Sequence, residues 1–298
     1  MGKDCIRKYL AYEGKVAITL LETTELVENA KKIHDLSPTA TAALGRLLTA
    51  TAILGQELKN EDEVVTTQIK GSGEIGTMVA VSNYIPEVKG YVQNPHVEPN
   101  LREDGKLNVG KAVGNEGFLT VIKDIGLKEP YIGISPLVSG EIAEDFAKYF
   151  VESEQKNNAL ALGVLVNKDG VKRAGGYQIS LMPGVTDEIV TKLEENLKNC
   201  PNISELLEKN DNLDEIAKKI TGDVDIKFLE ENRDDLELYN EYNNSLNGLD
   251  NKTRHLIRSR NNPYSSLFIE DYDLDTLQTI EDNIERAKYF DYKSKKKR

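Results

Sequence analysis

The sequence predicts an α+β fold: a largely antiparallel sheet core packed with helices, followed by a helical linker and a small divergent C-terminal region. Three observations carry that expectation. Runs of β-type residues with hairpin signals between them, as at Asp169-Gly170, outnumber strand–helix–strand units. Two convincing helix patterns interrupt those runs. Past Pro183 the apolar residues recur every third or fourth position instead of alternating.

Taken in order, Ile6–Tyr12 and Val16–Leu21 read as strands joined at Glu13-Gly14. Ser37-Pro38 is a helix start, because the serine oxygen can accept from free amides and proline loses nothing in a first turn. The helix that follows, to about Lys59, sets Leu44, Leu47, Leu48, Ile53 and Leu54 among alanine and threonine. Small residues beside leucine allow close packing on a sheet. Val64–Lys70, Thr77–Ser82 and Val88–Val92 follow as strands, Asp104-Gly105 is a further hairpin signal, and Phe118–Lys123 and Tyr131–Ile134 continue the β content. Glu141–Glu152 is a helix with Ile142, Phe146, Tyr149 and Phe150 along one side. Leu160–Val166 and Val171–Leu181 form the arms of the hairpin around Asp169-Gly170.

From Pro183 to about Gly222 the pattern is helical. Ile189, Leu193 and Leu197 recur at four-residue spacing until Pro201 breaks the run. Asn202 with Glu205, and Asn212 with Glu215, each resemble a capping-box start. Behind them come Ile203, Leu206 and Leu207, then Leu213, Ile216 and Ile220. Helices this short are marginal in water unless their apolar stripe finds a partner. Two readings stand: the stripes pack permanently on the core, or they detach and offer themselves to another chain's exposed apolar surface. From about Glu231 the composition turns rich in Asn and Tyr and nearly free of glycine. The domain reading is therefore 1–183 as an α+β core, 184–230 as a helical linker, and 231–298 as a divergent tail.

Composition narrows the function. A formal charge of −12 argues against a nucleic-acid partner, which needs clustered basic surface. No stretch approaches the length of a membrane span, and Met1-Gly2-Lys3-Asp4-Cys5 has no apolar core for a signal peptide. The chain carries two cysteines, Cys5 and Cys200, as suits a reduced compartment. A cytoplasmic protein is expected. Gly71-Ser72-Gly73-Glu74-Ile75-Gly76 fits GxGxxG, but Thr77–Val81 behind it reads as a strand, whereas dinucleotide binding needs a helix there. The glycines read as a turn, and a dinucleotide-dependent enzyme stays as the alternative. There is no GxSxG, no HExxH and no Walker pattern, and His34, His96 and His255 sit in unrelated contexts. No enzyme, catalytic residue or metal site is expected.

Several blocks in one order carry a resemblance. Leu47–Leu54, Gly90–Pro95, Gly110–Gly114, Tyr131–Val138, Tyr149–Gln155, Ala174–Gln178 and Asp225–Glu230 are similar to the 33 kDa chaperonin (heat-shock protein 33) family, over residues 3 to about 231. The resemblance implies a cytoplasmic holdase that needs no ATP, captures unfolding or oxidatively damaged proteins under stress, and works as a homodimer. It also implies that Ile189, Leu193, Leu197, Ile203, Leu206, Leu207, Leu213, Ile216 and Ile220 lie in a client-binding linker that rearranges on activation.

The family's linker is governed by a redox-regulated C-terminal domain whose CxC and CxxC thiolates hold zinc. Beyond Leu229 none of those cysteines is present. No redox-active cysteine is recognisable, and zinc is expected to be absent because its ligands are missing. Three readings of the tail compete: a genuine replacement, a partly disordered extension, or a reading-frame error. A last rival for the whole chain is an inactive dimeric scaffold with its linker permanently buried.

Overall fold

The computed structural model describes residues 4–60, 62–84, 87–209 and 212–232. The tail reading for 231–298 thus lies outside the described residues, apart from 231 and 232. The expected α+β class is what the chain adopts: two five-stranded antiparallel sheets with helices between and upon them. The first sheet contains β1 (Cys5–Ala11), β2 (Val16–Glu22), β8 (Asn158–Asn167), β9 (Gly170–Leu181) and β10 (Ile226–Asn232), in the order β10-β1-β2-β9-β8. The second contains β3 (Val64–Gly71), β4 (Thr77–Asn83), β5 (Val88–Val92), β6 (Gly117–Asp124) and β7 (Tyr131–Pro136), in the order β5-β4-β3-β6-β7.

Helix α1 (Thr24–His34) and the longer α2 (Pro38–Gly55) follow β2. Ser37 caps α2 as expected, its Oγ accepting from the Ala40 amide. Almost every side chain of α2 is buried because the helix lies between the sheets. Its threonines bind both ways: Thr49 shares a 2.8 Å hydrogen bond with Thr23 beside the first sheet, and Thr51 a 2.6 Å bond with Thr67 of β3. Leu44, Leu47, Leu48, Ile53 and Leu54 join Val65, Ile69, Met78, Leu119 and Val121 of the second sheet in one main core. Helices α3 (Val109–Val113) and α4 (Ala143–Glu152) complete this layer, with Phe146, Tyr149 and Phe150 buried as the spacing predicts.

A ring of charges ties the two sheets together. Lys123 of β6 lies 2.6 Å from Glu154 and 3.3 Å from Glu57, and Lys156 lies within 2.9 Å of both carboxylates. The Tyr149 phenol donates to Glu154, and Gln178 of β9 donates to Glu57. Burial alone would raise Glu154, yet the two lysines hold its carboxyl below the usual range.

Three features depart from the sequence reading. Helix α1 carried no recognised start, and its cap is remote: the Asp4 carboxylate, ahead of β1, accepts from the Glu25 and Leu26 amides at 2.9 and 2.7 Å. Asp104-Gly105 makes a tight turn, closed by the Arg102 amide on the Lys106 carbonyl, but joins no pair of sheet strands. Within 184–230, read as helical, Ile226 begins the strand β10, which pairs antiparallel with β1.

Candidate functional site

The outer face of the first sheet is the surface of interest. Side chains alternate along a strand, so Ile6 and Leu21 enter the main core while their neighbours point the other way. Tyr9 and Ala11 of β1, Val16, Ile18 and Leu20 of β2, and Tyr177 and Ile179 of β9 together form an outward apolar platform.

Three amphipathic helices cover it: α5 (Asp187–Asn199), α6 (Ile203–Glu208) and α7 (Leu213–Thr221). The residues picked out by their spacing are those that meet the platform. Leu193, Ile203, Leu206, Leu207, Leu213, Ile216 and Ile220 are buried against it, and Ile189 and Leu197 pack partly buried at its margin. In this arrangement seven of the nine are buried and two lie at the margin. They form a second apolar layer, separated from the main core by the thickness of a sheet.

Each local start signal has a measurable outcome. Asn212 accepts from the Glu215 amide and so caps α7. Asn202 makes no such backbone contact and instead donates its amide to the Glu205 carboxylate. Acidic Asp214 and Glu215 stand in the first turn of α7, and Lys218 and Lys219 in its last, complementing the helix dipole.

Two glycines let α6 lie close. Gly163 and Gly175 pair across β8 and β9, and a Cβ on either would come within 2.8 Å of Ile203 or Leu207. Polar contacts then fasten the helices one by one. The Tyr9 phenol donates to Asp214 at 2.8 Å, and the Arg7 guanidinium lies 3.1 Å from the same carboxylate. The Tyr12 phenol donates to the Thr221 carbonyl at the end of α7, and Arg173 Nε to the Leu207 carbonyl at the end of α6. The Lys192 ammonium of α5 lies 5.9 Å from the centre of the Tyr12 ring. Burial first, then the bond to Asp214, lifts Tyr9 far above the ordinary phenol range, so it stays a neutral donor. These polar fasteners were not legible in the sequence, since Tyr9 and Asp214 are remote along the chain.

The Cys200 sulfur shows no activated chemistry. Cys200 ends α5 and Cys5 opens β1; neither is joined in a disulfide and both are partly buried. Burial raises the Cys200 thiol, with Lys219 opposing only in part, whereas a reactive thiol needs its thiolate favoured. Two cysteines do not fit a four-thiolate zinc site. Among the described residues no group of three or more His, Cys, Asp or Glu side chains is placed to hold a metal ion.

The Gly71–Gly76 segment leads from β3 directly into its antiparallel partner β4, not into a helix. Its glycines serve close packing: a Cβ at Gly71 or Gly73 would collide with the carbonyls of Val113 and Ala112, to which the Gly73 and Ile75 amides donate.

Comparison with known proteins agrees with this architecture. The Hsp33 protein family matches residues 4–239. The chain belongs to the Hsp33 family. It is 49% identical over 229 residues to the 33 kDa chaperonin of Thermoanaerobacter sp. (strain X514), covering 76% of this chain and 78% of that one. The 33 kDa chaperonin of Clostridium perfringens (strain 13 / Type A) is 47% identical over 230 residues, covering 76% and 72%. The crystal structure of the Hsp33 homologue from Thermotoga maritima superposes with a TM-score of 0.71 at 38% identity, covering 86% of this chain and 88% of that one. Among the described residues no helix is long and apolar enough to cross a membrane.

Proposed function

We propose that this Hsp33-family protein is an ATP-independent holdase chaperone that captures unfolding polypeptides on apolar surface uncovered when α5–α7 lift from the first sheet. Family membership supports a chaperone role. The observation that carries the finer reading is the separation of the two apolar layers. The outer layer can open without disturbing the main core between the sheets, so the body stays folded while it offers new surface. Helices of 13, 6 and 9 residues have little stability of their own, so losing the platform costs them their structure together. The client-facing residues are then Ile189, Leu193, Leu197, Ile203, Leu206, Leu207, Leu213, Ile216 and Ile220, with the platform beneath them. Charged residues on the opposite helix faces keep such complexes in solution.

The action is non-enzymatic, in the cytoplasm, and by a homodimer. Activation does not run through zinc or a cysteine pair, because the chain's thiols do not supply either. The decisive experiment heats an aggregating client with the purified protein, without nucleotide, under reducing and peroxide-treated conditions. Suppression of aggregation to the same extent in both is expected, and in the Cys5→Ser/Cys200→Ser variant as well. An absence of suppression in every condition overturns the holdase reading and favours a scaffold; suppression only after peroxide overturns the redox-independent part.

A further inference from the structure

The first sheet ends in a strand interrupted by a bulge and largely exposed in its described side chains. Among the described residues strand β10 occupies the edge, with β1 as its one neighbour in the sheet. The pairing runs from Ile6↔Asn232 to Ala11↔Ile226, with a register shift between Lys8 and Tyr9 that leaves Leu229 without a partner. Such a bulge weakens the ladder locally. Of the side chains on β10, Ile226 is partly buried at the margin of the outer layer, and Phe228 touches the edge of the Tyr9 ring while remaining 48% exposed. Lys227 and Leu229 are exposed.

Strand β10 is also joined to α7 by a short link. Helix α7 ends at Thr221 and β10 begins at Ile226, with Gly222 and Asp223 both at positive φ between them. A helix that leaves the sheet on so short a tether draws at the strand behind it. Once β10 is gone, β1 presents a row of unpaired N–H and C=O groups beside the platform formed by Tyr9, Ala11 and Ile18.

We propose that the vacated edge of β1 is a client-binding site, filled by an extended segment of the unfolded polypeptide that pairs with β1 in the place of β10. This rests on the holdase reading above and names how that site recognises its substrate. Strand β10 itself displays the chemistry of the occupant: an extended backbone, with the apolar Phe228 and Ile226 opposite Tyr9 and Ala11 and the polar Lys227 between them. Backbone groups are common to every polypeptide, so pairing through them accepts clients without regard to sequence, while the platform selects for apolar content.

The test is hydrogen exchange on the full-length protein at the temperature where bis-ANS fluorescence rises, with reduced, carboxymethylated α-lactalbumin as the permanently unfolded probe. Without the probe, amides of 5–11 and 226–232 are expected to lose protection together. With saturating probe, 5–11 regain protection at least tenfold while 226–232 stay open. Capture with 5–11 still unprotected overturns the edge site but leaves the holdase intact. Protection of 5–11 that returns with protein concentration alone assigns the edge to a second copy and also overturns it. A tether gives an independent reading: Leu10→Cys/Lys227→Cys in the Cys5→Ser/Cys200→Ser background joins positions that are paired in the ladder. Its oxidised form is expected to capture the probe at least tenfold less than its reduced form while bis-ANS still binds on warming. Equal capture by both forms overturns the proposal.

Discussion

Gly163 of β8 and Gly175 of β9 stand opposite one another in the ladder, directly beneath Ile203 and Leu207 of α6. The missing side chains are what allow a helix of six residues to reach the sheet. A Cβ at Gly163 would meet the Ile203 methyl at 2.8 Å and the Ser204 amide at 2.9 Å, too close for real contacts. Gly163→Ala is therefore expected to push α6 off the platform at a cost of about 1–3 kcal/mol. Hydrogen exchange over 203–208 should quicken roughly tenfold for each ~1.4 kcal/mol lost. Bis-ANS binding should begin at a lower temperature, while exchange in α2 stays as in the wild type.

Asp214 gathers the Tyr9 phenol and the Arg7 guanidinium on one carboxylate. Asp214→Ala removes the acceptor that both share and is expected to weaken the docking of α7 by about 1–2 kcal/mol. Exchange over 213–221 and the onset temperature of client capture both report it. Arg7 contributes the smaller share, since half of the Asp214 side chain meets solvent. A double-mutant cycle of Arg7→Ala with Asp214→Ala should give a coupling of under about 1 kcal/mol.

Asp4 makes stability depend on pH. Burial pushes its carboxyl up to about 7, against the two amide bonds that favour the charged form. Because the folded value exceeds the unfolded one, the native state binds the extra proton. The associated stability is fully present below the unfolded value of 3.8 and is lost as pH rises towards about 7. Thermal denaturation of the wild type against Asp4→Asn checks this: the variant should lose the decline across that window while its amide oxygen keeps one bond to α1.

The charge ring of Glu57, Lys123, Glu154 and Lys156 belongs to the body, not to the outer layer. Lys123→Met leaves Glu154, 6% exposed, with the Lys156 ammonium as its remaining ion-pair partner and the Tyr149 phenol as a donor. Losing one of two charged donors to a buried carboxylate costs roughly 1.5–3 kcal/mol. Calorimetry should show the main transition falling by several degrees. The temperature at which bis-ANS first binds should stay put, because the ring meets the first sheet through Gln178, on the face opposite to Tyr177 and Ile179.

Much of the architecture was legible because it follows local rules. The hairpin at Asp169-Gly170 and the serine start of α2 are short-range signals, and both appear where expected. The apolar spacing across 189–220 marked the very side chains that reach the platform. What escaped detection depends on distant partners. Helix α1 has Leu26, Val27, Ala30 and Ile33 at helical spacing, but its cap comes from Asp4, on the far side of two strands. Strand β10 is recognisable only through β1, and the Tyr9–Asp214 bond joins the opposite ends of the described chain. Asp104-Gly105 misled because a turn signal specifies a reversal of the chain without saying whether strands flank it.

The direction of β10 sets how it responds to traction. Its last residue, Asn232, lies beside Ile6, and its first, Ile226, beside Ala11. A tug on the chain past Asn232, directed away from the sheet, therefore opens the Ile6 rung first and the others one at a time, as when tape is peeled back on itself, instead of loading every rung at once in shear. Peeling needs far less force than shearing for the same number of bonds. Whatever holds or pulls the polypeptide downstream of this strand has a gentle handle on the covering of the platform.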